Sequence, residues 1–227
     1  MQQAIQEWAT AVGTFIDAYC KLLDQAEETS NAEIEAERRV FRDLLLGIER
    51  DVRPETPTGL PVCRFADAVL QEAPSETSLQ TDLNESCRQV IANARWVNKY
   101  EPNAEHADLF ENFAFCDFVG PDSSQVSHDV TLGFVLLGPD TSYPFHEHPA
   151  RELYYVASGK AGWATDFEDF TLREPGTFLL HLESQPHAMR TYGEPLLAVS
   201  AWRGEVRGGS RFSQKVPRQN VNLKHHI

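Results

Sequence analysis

In the first hundred positions apolar residues recur every three or four places: Ile5, Trp8, Val12, Phe15 and Tyr19, then Ile34, Phe41, Leu44, Leu45 and Ile48. That period sets them on one face of a helix. Three prolines and a glycine between Arg53 and Pro61 end the second helix in a loop. The pattern then predicts a short helix over Arg64 to Gln71. Another, opened by Pro74 and Ser75, runs through Leu79, Leu83, Cys87, Val90 and Ile91 to about Tyr100. Stripes of this kind are packing surfaces in the first instance.

After Glu101 and Pro102 the texture changes. FAFCDFVG, VTLGFVLLG, ELYYVASG, GWATDF, TFLLHL and LLAVSAW are short β-rich runs separated by Gly, Pro and Asp, and no helical pattern interleaves with them. Helices followed by strands predict an all-β barrel carrying a helical annex rather than a parallel α/β sheet. The expected division is an α-helical region over 1–100 and a β-barrel over 101–227.

Composition narrows the partners. With 34 acidic against 20 basic residues and a net charge of −14, the surface repels nucleic-acid backbones and anionic membranes. An anionic ligand therefore needs a local cation such as a metal. The N-terminus lacks the basic start and apolar core of a signal peptide, and no apolar run reaches spanning length, so a cytoplasmic location is expected. Cys20, Cys63, Cys87 and Cys116 are dispersed and read as reduced core thiols.

The chemistry concentrates in Pro144-Phe-His146-Glu-His148-Pro-Ala-Arg-Glu152-Leu-Tyr154. Residues two apart on a strand share a face, so His146 and His148 point one way. Pro149 and Ala150 fit a turn, after which Glu152 and Tyr154 again share a face. Two imidazoles, a carboxylate and a phenol that converge suit a borderline divalent metal such as zinc, iron, manganese, nickel or cobalt. The run H-x-H, three residues, Glu, six residues, Gly, closing at Gly159, resembles the first motif of the cupin superfamily. The second motif aligns with Gly176 and His187. Asp140 stands where the first motif opens with Gly, and Leu182, Ser184 and Thr191 replace the second motif's Pro, Gly and Asn. The resemblance implies a mainly β, double-stranded β-helix (jelly-roll) cupin barrel with His146, His148, Glu152 and His187 as ligands of one divalent metal. His181, on an apolar strand, is expected to be a hydrogen-bonded core or rim residue. His106, His128, His225 and His226 carry no pattern and read as structural or exposed.

Fold and metal do not fix a reaction, because cupins host many chemistries. Tyr143, Tyr154 and Trp202 surround the ligand positions. With H-E-H-P-A-R-E-L-Y-Y-V, Q-P-H-A-M-R-T and A-V-S-A-W-R-G, the chain resembles the cupin dimethylsulfoniopropionate (DMSP) lyases, and among them the DddL family. The resemblance implies cleavage of DMSP, a small zwitterion, to dimethyl sulfide and acrylate. It also implies a helical segment packed on the barrel, and it leaves a homodimer open. The metal would bind the substrate carboxylate. Tyr154 would remove the α proton, with Tyr143 the next candidate. Tyr143 and Trp202 would face the sulfonium, as Trp163 and Phe178 would less directly. Two other classes compete: an iron-dependent cupin dioxygenase, and a non-catalytic cupin that binds a small molecule.

Overall fold

The computed structural model describes residues 2–98, 100 and 106–214. Helices α1 (Gln2–Gln25), α2 (Ala32–Leu46), α3 (Ala66–Gln71) and α4 (Ser78–Ile91) form the annex, and a 3-10 turn, Pro61–Phe65, leads into α3. Asn31 fixes the start of α2 by accepting from the backbone N–H groups of Glu33 and Ile34. Helix α4 begins later than Pro74 predicts, because the Thr77 side chain is its cap and Gln80 completes a capping box. It also ends at Ile91, well short of Tyr100. Pairing overrides helical propensity here: Arg95 bridges Thr58, and Val97 bridges Phe115. A further short helix, α5 (Ala107–Asn112), precedes the first strand. None of the described helices is long and apolar enough to cross a membrane.

The strands are β1 (Phe113–Gly120), β2 (Gln125–Val126), β3 (Val130–Leu137), β4 (Ser142–Glu147), β5 (Arg151–Ser158), β6 (Ala161–Thr165), β7 (Thr171–Arg173), β8 (Phe178–His181), β9 (His187–Thr191), β10 (Leu196–Arg203) and β11 (Arg211–Phe212). They form two facing sheets, ordered β2-β1-β3-β10-β5-β8 and β11-β4-β9-β6-β7. This is the jelly-roll barrel of a cupin.

The apolar runs of β3, β5 and β10 lack polar alternation because both of their faces are covered. Leu153 and Tyr155 on β5, with Val199 and Ala201 on β10, share a core with Trp8, Phe15 and Tyr19 of α1. Tyr154, Val156 and Ala198 instead face the barrel interior. Phe15 seats the annex, with its ring edge-on to Phe118 and Phe134 at 5.2 and 5.0 Å. Arg38 of α2 is buried and donates to the carbonyls of Leu23, Ala26 and Glu27 at the end of α1, groups that the helix itself leaves unpaired.

Where the motif residues depart from glycine, the backbone does not. Asp140 and Ser184 take φ of 50° and 59°, the left-handed conformation that glycine adopts freely. The Ser184 N–H then donates to the His148 carbonyl at 2.8 Å. At the other end of the β4–β9 ladder Thr191, in place of Asn, ties the turn before β4, donating to Gly138 O and accepting from the Thr141 N–H. Gly159 is needed as glycine: its φ is 77°, and a Cβ would lie 2.0 Å from the Pro195 carbonyl oxygen.

Candidate metal centre and substrate pocket

Four strands supply the site. His146 on β4 faces His187 on β9 as its register partner, and His148 follows directly after β4. Glu152 opens the inward face of β5, opposite Trp202 on β10. His146, His148, Glu152 and His187 are all buried. His148, Glu152 and His187 bring ligand atoms within 4.8 Å of one another. His146 stands outside that group, its ring 4.1 Å from that of His187, and with Glu152 it lines the adjoining cavity.

The histidine tautomers favour metal binding. Each Nδ1 meets a backbone carbonyl, Pro144 O for His146, Ala150 O for His148 and Gln185 O for His187, at 2.8–2.9 Å. A carbonyl can only accept, so Nδ1 carries the hydrogen and Nε2 presents its lone pair in the neutral ring. His148 Nε2 lies 2.9 Å from Glu152 Oε2. A lone pair and a carboxylate this close require a shared cation, either a proton or a metal. His187 Nε2 is 3.3 Å from the same oxygen and, although buried, makes no hydrogen bond among the described residues. The residues fit a divalent ion.

The charges are consistent with this. Burial alone would push the Glu152 carboxyl up, but His148 and His187 outweigh it and hold it well below the usual carboxylate range. Burial opposes a charged His148, yet Glu152 raises it overall. His146 is driven well down by burial and then by His187, which keeps it neutral.

Ser200 Oγ and Trp202 Nε1 each donate to Glu152 Oε1 at 2.7 Å, leaving Oε2 for the histidines. Trp202 also stacks on His148, ring to ring at 4.0 Å. Ser200 was not singled out from sequence, although it is the lone hydroxyl in the apolar run LLAVSAW.

The cavity is bounded by Tyr143, Tyr154, Trp202, Phe113, Tyr100 and Ser210. Tyr143 stacks on His146 at 3.9 Å. Its hydroxyl meets that of Tyr100, which in turn lies 2.8 Å from Ser210 Oγ. Tyr100 was expected to end a helix; it is instead a pocket residue. Burial, followed by the Glu152 carboxylate, pushes the Tyr154 phenol well up.

Two of the aromatic candidates are not in the pocket wall. Phe178 pairs with Tyr155 across β5 and β8, and that parity turns it outward, under the Arg38 guanidinium in the annex core. Trp163 lies inside the barrel behind Tyr154, at 4.8 Å ring to ring. His181 also corrects expectation. It is buried and stacked on His187 at 4.1 Å, and neither ring nitrogen has a hydrogen-bond partner among the described residues. His128 is exposed and His106 is half-buried, 4.5 Å from the Phe212 ring. His225 and His226 lie outside the described residues.

Residues 35–198 match the family model described as dimethylsulfoniopropionate lyase. Dimethylsulfoniopropionate lyase DddQ of Ruegeria pomeroyi is 30% identical over 155 residues, covering 66% of this chain and 76% of that protein. The putative dimethylsulfoniopropionate lyase DddL of Cereibacter sphaeroides is 28% identical over 189 residues, covering 81% and 78%. Among solved structures, DddQ from R. pomeroyi DSS-3 superposes with a TM-score of 0.66 at 25% identity, covering 87% of this chain and 96% of that one. A chain of the DMSP lyases RdDddP and RnDddQII gives 0.72 at 24%, covering 91% and 100%, a likeness of fold.

Proposed function

The chain belongs to the dimethylsulfoniopropionate lyase family, and we propose that it is a metal-dependent carbon–sulfur lyase that eliminates dimethyl sulfide from DMSP, with Tyr154 as general base. The observation that carries the reading is a largely aromatic cavity in which Tyr154, Tyr143 and Trp202 meet His146 and Glu152, with Glu152 also belonging to the buried cluster it forms with His148 and His187. Affinity to DddL rather than DddQ belongs to the same proposal, supported by the longer stretch over which DddL aligns.

DMSP carries a carboxylate at one end and a dimethylsulfonium on the β carbon. In the elimination a base takes the α proton, the C–H electron pair becomes the C=C bond of acrylate, and the C–S pair leaves with dimethyl sulfide. The leaving group is neutral and needs no acid. A divalent ion held by the three histidines and Glu152 would supply Lewis-acid charge to the substrate carboxylate as negative charge grows on the α carbon.

This chain's own side chains do the rest. The Tyr154 oxygen accepts the α proton, and its phenol must first be brought below the level that burial imposes; a nearby dication acts in that direction. Ser200 and Trp202 hold Glu152 so that one oxygen stays turned to the histidines. The Trp202 and Tyr143 faces receive the sulfonium in a desolvated pocket, where a cation over an aromatic ring gains about 2 kcal/mol. Trp163 supports the Tyr154 ring from behind.

The test is direct. Purified protein given DMSP and a divalent metal should release dimethyl sulfide into the headspace with equimolar acrylate in solution. No release with any of zinc, iron, manganese, nickel or cobalt would refute the proposal, and oxygen uptake without dimethyl sulfide would favour the dioxygenase reading.

A further inference from the structure

We infer that Glu37, on helix α2 of the annex, is a positioning residue for the metal-binding carboxylate Glu152. The inference rests on the metal reading above. Glu37 is 4% exposed and lies against the outer face of the six-stranded sheet. Its carboxylate accepts from Arg203 Nε and Nη2 at 2.6 Å each and from Arg151 Nη1 at 2.7 Å. Arg151 and Arg203 are register partners on β5 and β10.

Strand parity makes this contact consequential. Like charges directly opposite each other on an antiparallel ladder repel. Glu37 sits between both guanidiniums and offsets part of their charge, while Glu183 and Glu33 also pair with Arg151. The next register pair inward is Glu152 with Trp202, whose side chains turn to the barrel interior and share the 2.7 Å indole hydrogen bond. That bond needs the strands to stay in register at their ends. Arg151 also reaches Glu183, at 3.2 Å, in the loop between His181 and His187. Next to it, Ser184 holds the His148 carbonyl. One annex carboxylate thus ties together the strand ends and the loop that carry Glu152, Trp202 and His187. Most surface ion pairs contribute little, but the Glu37 carboxylate is buried and held by both arginines, and losing it takes from Arg203 its bidentate partner and leaves Arg151 to Glu183 and Glu33.

The experiment compares Zn²⁺ affinity, by chelator competition on the metal-stripped full chain, and the visible spectrum of the Co²⁺-loaded protein. Glu37→Gln should weaken Zn²⁺ binding about tenfold, within the range for residues that orient metal ligands, and should alter the Co²⁺ bands. Val12→Ala, which opens a cavity in the annex core and removes none of the clamp's hydrogen bonds, should lower the melting temperature yet keep wild-type affinity and spectrum. Arg203→Gln, which leaves the Glu37–Arg151 pair, should give a smaller loss of affinity, and it serves as the second variant if Glu37→Gln does not fold. Wild-type affinity and spectrum in both clamp variants would overturn the inference, as would an equal loss of affinity in Val12→Ala. A wild-type protein that binds no Zn²⁺ or Co²⁺ would overturn the metal reading, and the clamp's purpose with it.

Discussion

Trp202 holds two roles that substitution can separate. Its indole N–H orients Glu152 at 2.7 Å, and its ring faces the pocket while stacked on His148. Trp202→Phe keeps an aromatic face and deletes the donor. A hydrogen bond to a charged group contributes about 1.5–3 kcal/mol. Because Ser200 still donates to the same oxygen, the low end applies, and about 1.5 kcal/mol corresponds to roughly a tenfold loss of metal affinity. Trp202→Ala loses the face as well. At about 2 kcal/mol for a desolvated cation–π contact, the apparent KM for DMSP should rise roughly 30-fold even when metal is saturating. Zn²⁺ titration against a chelator reads the first effect, and headspace initial rates over a DMSP series read the second. Wild-type KM in Trp202→Ala would refute the sulfonium wall, and unchanged Zn²⁺ affinity in Trp202→Phe would refute the orienting role.

Other consequences follow from the same geometry. Replacing His146, His148 or His187 by Ala should lower both metal content and activity, and elemental analysis showing full metal in all three variants would place the site elsewhere. Burial pushes the Glu37 carboxyl up, but hydrogen bonds from Arg203 and then Arg151 outweigh it and hold the group below its ordinary value. Its stabilisation is therefore present above the unfolded carboxyl pKa near ~4.3 and lost as pH falls through the folded value. Melting temperature should consequently fall less steeply with acid in Glu37→Gln than in wild type; identical acid limbs would contradict this. Deleting residues 1 to about 100 should uncover Phe118, Leu132, Phe134 and Leu136 of the sheet and cause aggregation, measurable by light scattering; a monodisperse, active truncation would contradict it.

That the proposed ligand residues gather in one place was legible because their logic is local. His146, His148 and Glu152 lie within one strand-turn-strand, where parity alone fixes which side chains converge, and His187 follows from motif spacing. The turns proved tolerant of sequence, since Asp140 and Ser184 adopt the left-handed backbone without being glycine. Other features depend on contacts distant along the chain. Phe178 was misread because its facing depends on the β8 register against Tyr155, which no pattern within TFLLHL states. Tyr100 looked like a helix end because nothing local shows Val97 pairing with Phe115. Glu37 sits in an ordinary charged helical stretch, and its role appears only when α2 meets the ends of β5 and β10. His181 shares an apolar strand with core residues, so only the fold reveals its stacking on His187.

The central claim, that Tyr154 takes the α proton beside a metal held by the histidines and Glu152, is tested most directly by Tyr154→Phe. The substitution removes one oxygen and keeps the ring that packs on Trp163. With metal content matched to wild type by elemental analysis, headspace dimethyl sulfide release at saturating DMSP should fall by about 10²–10⁴-fold, the contribution of a positioned general base. Release within a few-fold of wild type at equal metal content would contradict the account and move the base to Tyr143.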